Sequence, residues 1–174
     1  LVSSKAEDSI NFVNSNFNFY STLISNTSSD GIDSDFSSGE IVDSELEKIM
    51  GDGIDLSGSN ILIRDTSLSL IGDKAISIGE KSNVKVQNLN ISSSKNGIAN
   101  KDESKLQGNN IKIFNSTDYD ILAFTKKPYY SNSILELDDV EYDIKKSLIQ
   151  TGHQGKINNL KLTTQNVDVK LLYE

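Results

Sequence analysis

Five isoleucines stand at one constant interval: Ile10, Ile32, Ile54, Ile76 and Ile98 each follow the last by 22 residues, and Ile121 arrives one residue late. The text around them repeats too, as Asp30-Gly31-Ile32-Asp33, Asp52-Gly53-Ile54-Asp55, Gly72-Asp73-Lys74-Ala75-Ile76 and Asn96-Gly97-Ile98. A fixed period in this range marks a solenoid, whose units stack only on their neighbours.

Inside the repeat the apolar period is two. Ile54 and Leu56 alternate, then Ile61 and Ile63, then Leu68 and Leu70; the next coil gives Ile76 and Ile78, Val84 and Val86, Leu89 and Ile91. Alternation over four or five residues, broken by Gly, Ser, Asn and Asp, predicts short half-buried strands joined by turns. Three such strands per coil make the expected fold all-β: a single-stranded right-handed parallel β-helix of about 22 residues per coil, with inward side chains stacked at the ~4.8 Å strand spacing. A leucine-rich repeat has a similar period, but its Leu-x-x-Leu-x-Leu text is absent. A β-sandwich would give short strands without this stacking register. Asp43, Asp65, Asn88 and Asn109 or Asn110 follow the second strand of successive coils, where a stacked turn favours Asn and Asp.

The 174 residues form one domain, with regular coils over about 10–124, a loop insertion over about 125–133 and less regular terminal coils over about 134–174. Ile149 is the expected counterpart of Ile121. Residues 1–9 are read as a cap or part of a preceding coil, residues 45–50 as a candidate short helical turn, and the alternation at 156–162 and 167–173 as the strands that end the stack. The chain starts at Leu1-Val2-Ser3 without Met, and reads as a piece of a larger protein whose other domains are partners.

A hydrophobic content of 36% is low, but the apolar residues are periodic, which argues against disorder. The net charge of −8 argues against nucleic acid and anionic membranes as partners. No stretch approaches the ~20 apolar residues that would insert in a membrane. Without cysteine there is no disulfide framework, thiolate nucleophile or zinc–sulfur site, which fits a secreted bacterial protein.

The 22-residue coils with Asp-Gly-Ile-Asp, and the run from Gly72 to Ser82, resemble the pectin-lyase-like right-handed β-helix superfamily. With Gly97-Ile98-Ala99-Asn100-Lys101-Asp102-Glu103-Ser104 and Lys126-Lys127-Pro128 they are similar, more narrowly, to β-helical segments of bacterial surface proteins that accompany a spore-coat-H-like kinase domain. The likeness covers roughly residues 28–131. It implies the fold and an extracellular or cell-surface location, and carries no catalytic assignment. The superfamily's lyases pair calcium with a basic residue, for which Lys74, Lys101, Lys126, Lys127 and the lone Arg64 are candidates here. Its hydrolases pair aspartates near a His and an Arg-x-Lys, a set missing from this sequence.

Asp30, Asp52 and Asp73 recur at one corner, with Asp33 and Asp55 pointing outward on the strand that follows. Stacked carboxylates repel, so they either share a cation, with calcium the fitting hard ion, or hold raised pKa values. As a pair for glycoside chemistry the weak catalytic candidates are Asp52, Asp55, Asp73, Lys74 and Lys101; otherwise these are turn carboxylates relaxed by water. The single histidine, His153, reads as a surface residue. Lys126, Lys127, Tyr129 and Tyr130 form the best ligand-binding candidate, two aromatic faces for sugar rings beside two ammonium groups, although loop aromatics also seal coil ends. The sequence thus points to a non-catalytic carbohydrate-binding or structural module with a polysaccharide partner. The alternative is a uronate lyase or epimerase, and oligomeric state is open.

Overall fold

The computed structural model describes residues 5, 6 and 8–173, which wind into a parallel β-solenoid of about seven turns. Residues 1–4 and 7, part of the expected N-terminal cap, lie outside the described residues. The first coil consists of β1 (Asp8–Val13), β2 (Asn16–Tyr20) and β3 (Leu23–Thr27), and the second of β4 (Asp30–Asp35), β5 (Ser38–Val42) and β6 (Glu45–Ile49). Residues 45–50 are therefore strand and turn rather than helix. β7 (Ile54–Ser57) opens the third coil. β8 (Asn60–Gly79) and β9 (Asn83–Lys101) each run through two corners and contribute to all three faces. β10 (Lys105–Phe114), β11 (Tyr119–Phe124) and β12 (Ile134–Glu141) follow.

On the first face Ile10, Ile32, Ile54, Ile76, Ile98 and Ile121 pair in register, coil on coil. All but Ile10 are fully buried, and they form one core with Ile61, Ile63, Leu68, Val84 and Ile91 from the other two faces. Leu70 departs from the expected alternation. It takes φ 56° at the third corner and is half exposed, so Ile71 turns inward instead.

The recurrent Asp-Gly-Ile-Asp has a packing cause. A Cβ on Gly31 would stand 2.6 Å from the carbonyl oxygen of Gly53, and one on Gly53 2.6 Å from that of Ala75. The coils approach too closely there for most side chains, and only the aspartate before each glycine keeps a functional group at the corner.

Two polar ladders hold the other corners. At the second corner Asp43, Asp65, Asn88 and Asn110 all take left-handed φ between 51° and 54°, which resolves the choice between Asn109 and Asn110. Asn88 donates to Asp65, and Asn110 to Asn88. At the first corner Ser37, Ser59, Ser82 and Ser104 stack, and each hydroxyl accepts the N–H of the serine one coil before. Buried backbone groups are thereby satisfied without water.

His153 ends this serine ladder. It is buried, not on the surface: its Nδ1 accepts from Ser133 N–H at 3.0 Å, and Nε2 lies 3.1 Å from the Thr125 hydroxyl. Burial pushes its pKa down.

After β11 the regular period is lost. Ile121 pairs with Ser147 of β13 (Ser147–Gln150), while Ile149 pairs with Ala123, so the expected partner of Ile121 sits two residues late. The side chain of Asn100, inside the core, donates to Ile134 O at 2.8 Å and pins the chain where it re-enters after residues 125–133. β14 (Gln154–Ile157) and β15 (Leu160–Lys161) form an antiparallel hairpin, turned at Asn158 and Asn159 with φ 49° and 63°. Leu162 is buried against the core end, and β16 (Thr164–Gln165) returns to pair with β13. Residues 167–173 add no strand, contrary to their alternation. They contain a 3-10 turn, Val169–Leu172, capped by Asp168. Their apolar residues are used to cover the outside of the first face.

Candidate functional site

The chemistry-bearing side chains gather on the outer surface of the first face. One column follows the strict 22-residue interval: the Asp52 N–H donates to Asp30 Oδ1 at 2.7 Å, and the Lys74 N–H to Asp52 Oδ1 at 2.9 Å. Lys74, not Asp73, is therefore the third member of the corner stack. Its ammonium lies 3.3 Å from Asp52 and 2.5 Å from Asp73, bridging two carboxylates that would otherwise repel. Asp52 and Lys74 are both buried. Burial pushes the Asp52 carboxyl up, outweighing the nearby Lys74 charge. Desolvation pulls the Lys74 ammonium down, but Asp52 and Asp73 together hold it above its usual range.

Asp33 and Asp55 pair across adjacent coils and face outward. Burial pushes the Asp33 carboxyl up to about 7, aided by Asp35, Asp55 and Asp8. Asp30 is pushed up to about 6, again mainly by burial. One oxygen of Asp30 and one of Asp52 already accept backbone N–H groups, and a cation between Asp52 and Asp73 would meet the Lys74 ammonium. Among the described residues no three His, Asp or Glu side chains converge on a point where calcium could sit. Among the described residues, the five aspartates proposed from sequence as ligands are spread along the column and do not gather as a group of three.

Further along, the same outward column turns apolar. Ala99 and Leu122 follow Ser77, and with Phe124 and Leu148 they form a second, small cluster on the outside of the solenoid. Val167, Val169 and Leu172 pack on it. The segment ends with Tyr173, whose ring centre lies 4.5 Å from Lys126 Nζ, 5.4 Å from Lys74 Nζ and 6.1 Å from the ring of Phe124. Burial and nearby carboxylates push the Tyr173 hydroxyl up.

Lys101 occupies the next column, in register with Phe124. Its side chain lies over Gly79, and its Nζ is 2.6 Å from the Ser77 hydroxyl. Both residues are buried. Burial lowers the Lys101 pKa, and among the described residues no carboxylate lies within 4 Å of its nitrogen. Lys101 was a catalytic candidate from sequence. Its burial beside Ser77, and the contribution of Tyr173, gave no signal in the repeat pattern.

The loop at residues 125–131 is anchored from below. Asp102, buried, accepts the N–H groups of Lys126 and Lys127 at 2.7 and 2.9 Å. The Lys127 ammonium pairs with Glu80. Tyr129 is 75% exposed and lies against Tyr130 with ring centres 4.8 Å apart, while Lys81 sits over Tyr130. The four residues predicted as a ligand-binding set thus share one loop, but Lys126 turns toward Tyr173. Arg64 stands apart on the second face, paired with Asp65.

Open grooves cross other surfaces, three of them the widest. The largest, about 840 Å³, lies at the last coil beside His153, Lys156 and Lys161, and another of about 510 Å³ crosses the second face at Asn16, Glu40, Asn60 and Lys85. A third, of about 690 Å³, contains Asp120 and Lys146. None contains the acidic column, Lys101 or the tyrosine loop. Among the described residues no helix is long and apolar enough to cross a membrane. Comparison of the chain with protein-family models, curated proteins and solved structures finds no match.

Proposed function

We propose that this solenoid is a non-catalytic carbohydrate-binding module of a secreted or cell-surface bacterial protein, similar to the pectin-lyase-like and kinase-associated β-helical segments its coils resemble. The observation that carries the reading is the exposed Tyr129 set against half-buried Tyr130 on a loop fixed by Asp102 and Glu80. Flat aromatic faces held rigidly at the surface lose little entropy on receiving a sugar ring, and the adjoining lysines favour acidic sugars. A polysaccharide could run along the stacked coils beside this loop.

The alternative, a uronate lyase or epimerase, draws on the Asp52–Lys74 and Lys101 set. Against it, Asp52, Lys74, Ser77 and Lys101 are at most 7% exposed and line none of the grooves described above. A glycan-array screen of the chain and of Tyr129→Ala, with a uronate-cleavage absorbance assay and a chelator arm, tests both. Binding that Tyr129→Ala removes, without cleavage, is the expected result. Cleavage would install the alternative, and absence of both binding and cleavage would leave a structural spacer.

A further inference from the structure

We propose that residues 167–173 are a displaceable strap, and that the surface under Tyr173 is a latent oxyanion site centred on Lys101 and Lys126. This stands apart from the glycan reading.

Two observations meet here. The first is how the strap is held. Among the described residues, every hydrogen bond of residues 167–173 stays within the segment: Lys170 and Leu171 N–H donate to Asp168, and Tyr173 N–H to Lys170 O. Its grip on the solenoid is through side chains alone, those of Val167, Val169, Leu172 and Tyr173, and Leu171 points to water at 64% exposure. Segments with few buried contacts and no backbone tie open at the least free-energy cost.

The second is what the strap covers. Six lysine or arginine side chains of the described residues are paired with carboxylates; Lys101 is not among them, although it is buried. Among the described residues its ammonium makes one hydrogen bond, to the Ser77 hydroxyl, which leaves donors unused. Among the described residues Lys126 has no carboxylate partner either, and its ammonium instead faces the ring of Tyr173 at 4.5 Å. The negative face of an aromatic ring is a weak substitute for an anion. A carboxylate, sulfate or phosphate would bring full countercharge to both ammonium groups and take charge-assisted hydrogen bonds from them. Tyr173 stands where that anion would bind, so ring and anion compete.

The chain has no tryptophan, so Tyr173→Trp places a single reporter at the strap's end. It is titrated with sodium phosphate and separately with trigalacturonate, at ionic strength matched with sodium chloride. The expected result is a saturable red shift as the indole moves into water. In Lys101→Met and Lys126→Gln backgrounds the apparent affinity should fall about tenfold each, the loss of one charge-assisted contact. A shift with phosphate alone identifies a free anion as the ligand, and one with trigalacturonate a sugar carboxylate. Hydrogen exchange of the unmutated chain must show residues 167–173 loosening with the same anion. Emission that responds no more than to sodium chloride, an equal response in Lys101→Met, or unchanged exchange would overturn the proposal. Strap release by phosphate with no glycan bound on the array would remove the carbohydrate function and leave this one standing.

Discussion

The early and late coils are cut from one repeat and stabilised by different means. Residues 1–73 carry thirteen acidic and three basic side chains, whereas residues 74–174 carry twelve and fourteen. In the early coils the outward column of the first face is Asp33 and Asp55, partly exposed to water; in the late coils it is Ala99, Leu122 and Leu148, covered by the strap. The inward isoleucine ladder runs through both. A solenoid core therefore leaves its outer columns free to vary, and what lies on them decides whether a coil meets water, a ligand or its own chain.

The largest expected effect tests whether the core is indifferent to that difference. Ile54→Ala empties a fully buried position in the middle of the stack and should cost about 3–4 kcal/mol. Leu148→Ala removes a side chain that touches the strap rather than the interior, and should cost about 2 kcal/mol. Urea unfolding gives both values, and hydrogen exchange should show residues 167–173 loosened by the second change alone. Equal costs with unaltered exchange of the strap would mean the outer cluster belongs to the core.

A second test addresses the corner where the two regions join. Asp52→Ala strips a buried ammonium and the Lys74 N–H of a partner, for roughly 3 kcal/mol by the usual cost of breaking a buried pair. Lys74→Met in the same chain should recover more than half of it, because the orphaned charge is then gone. A double-mutant cycle that finds the two changes additive would show that Asp73 alone is enough for Lys74.

The coil, the strand alternation and the stacked Asn/Asp turns were readable because each repeats, and repetition separates a structural signal from chance. Asp73 was misplaced because the motif was aligned on Gly-Asp, whereas hydrogen bonding follows the 22-residue count and selects Lys74. Leu70 and residues 167–173 misled because alternation reports which side chains are apolar, not what covers them. The burial of His153 had no local signal at all. It depends on Ser133, twenty residues away, arriving at the corner of a ladder that only the folded stack creates. The same holds for Lys126 and Phe124 against Tyr173: these contacts join the loop and β11 to the end of the described chain.

His153 gives the late coils a pH dependence of their own. Its Nδ1 accepts the Ser133 N–H, so the ring must be neutral to hold the ladder's end, and its folded pKa lies below the unfolded value of about 6.5. Below that pH the unfolded chain binds the proton more readily. The contribution is thus complete above about 6.5 and is lost as pH falls through the lowered value. Hydrogen exchange of residues 147–165 at about pH 5 should be faster than at about pH 7.5, relative to residues 30–57, and His153→Gln should remove that difference. A uniform response of all coils would deny the histidine this role.

Asp33 should impose the opposite slope on the early coils. Its folded pKa, about 7, lies above the ordinary 3.8, so the folded state holds a proton that the unfolded chain has already released. Stability from this group is greatest below about pH 4 and declines as pH rises toward 7. Asp33→Asn should therefore raise Tm at about pH 8 and change little at about pH 4. With Asp33 partly exposed, solvent screening reduces the effect to about 1 kcal/mol at most, or about 2–4 °C for a domain of this size. High salt separates the causes, since it screens the repulsion from Asp35 and Asp55 but not the burial of the carboxylate. With burial as the larger cause, most of the gain in Tm should survive salt; a gain that vanishes would make the acidic column a problem of repulsion between neighbours instead.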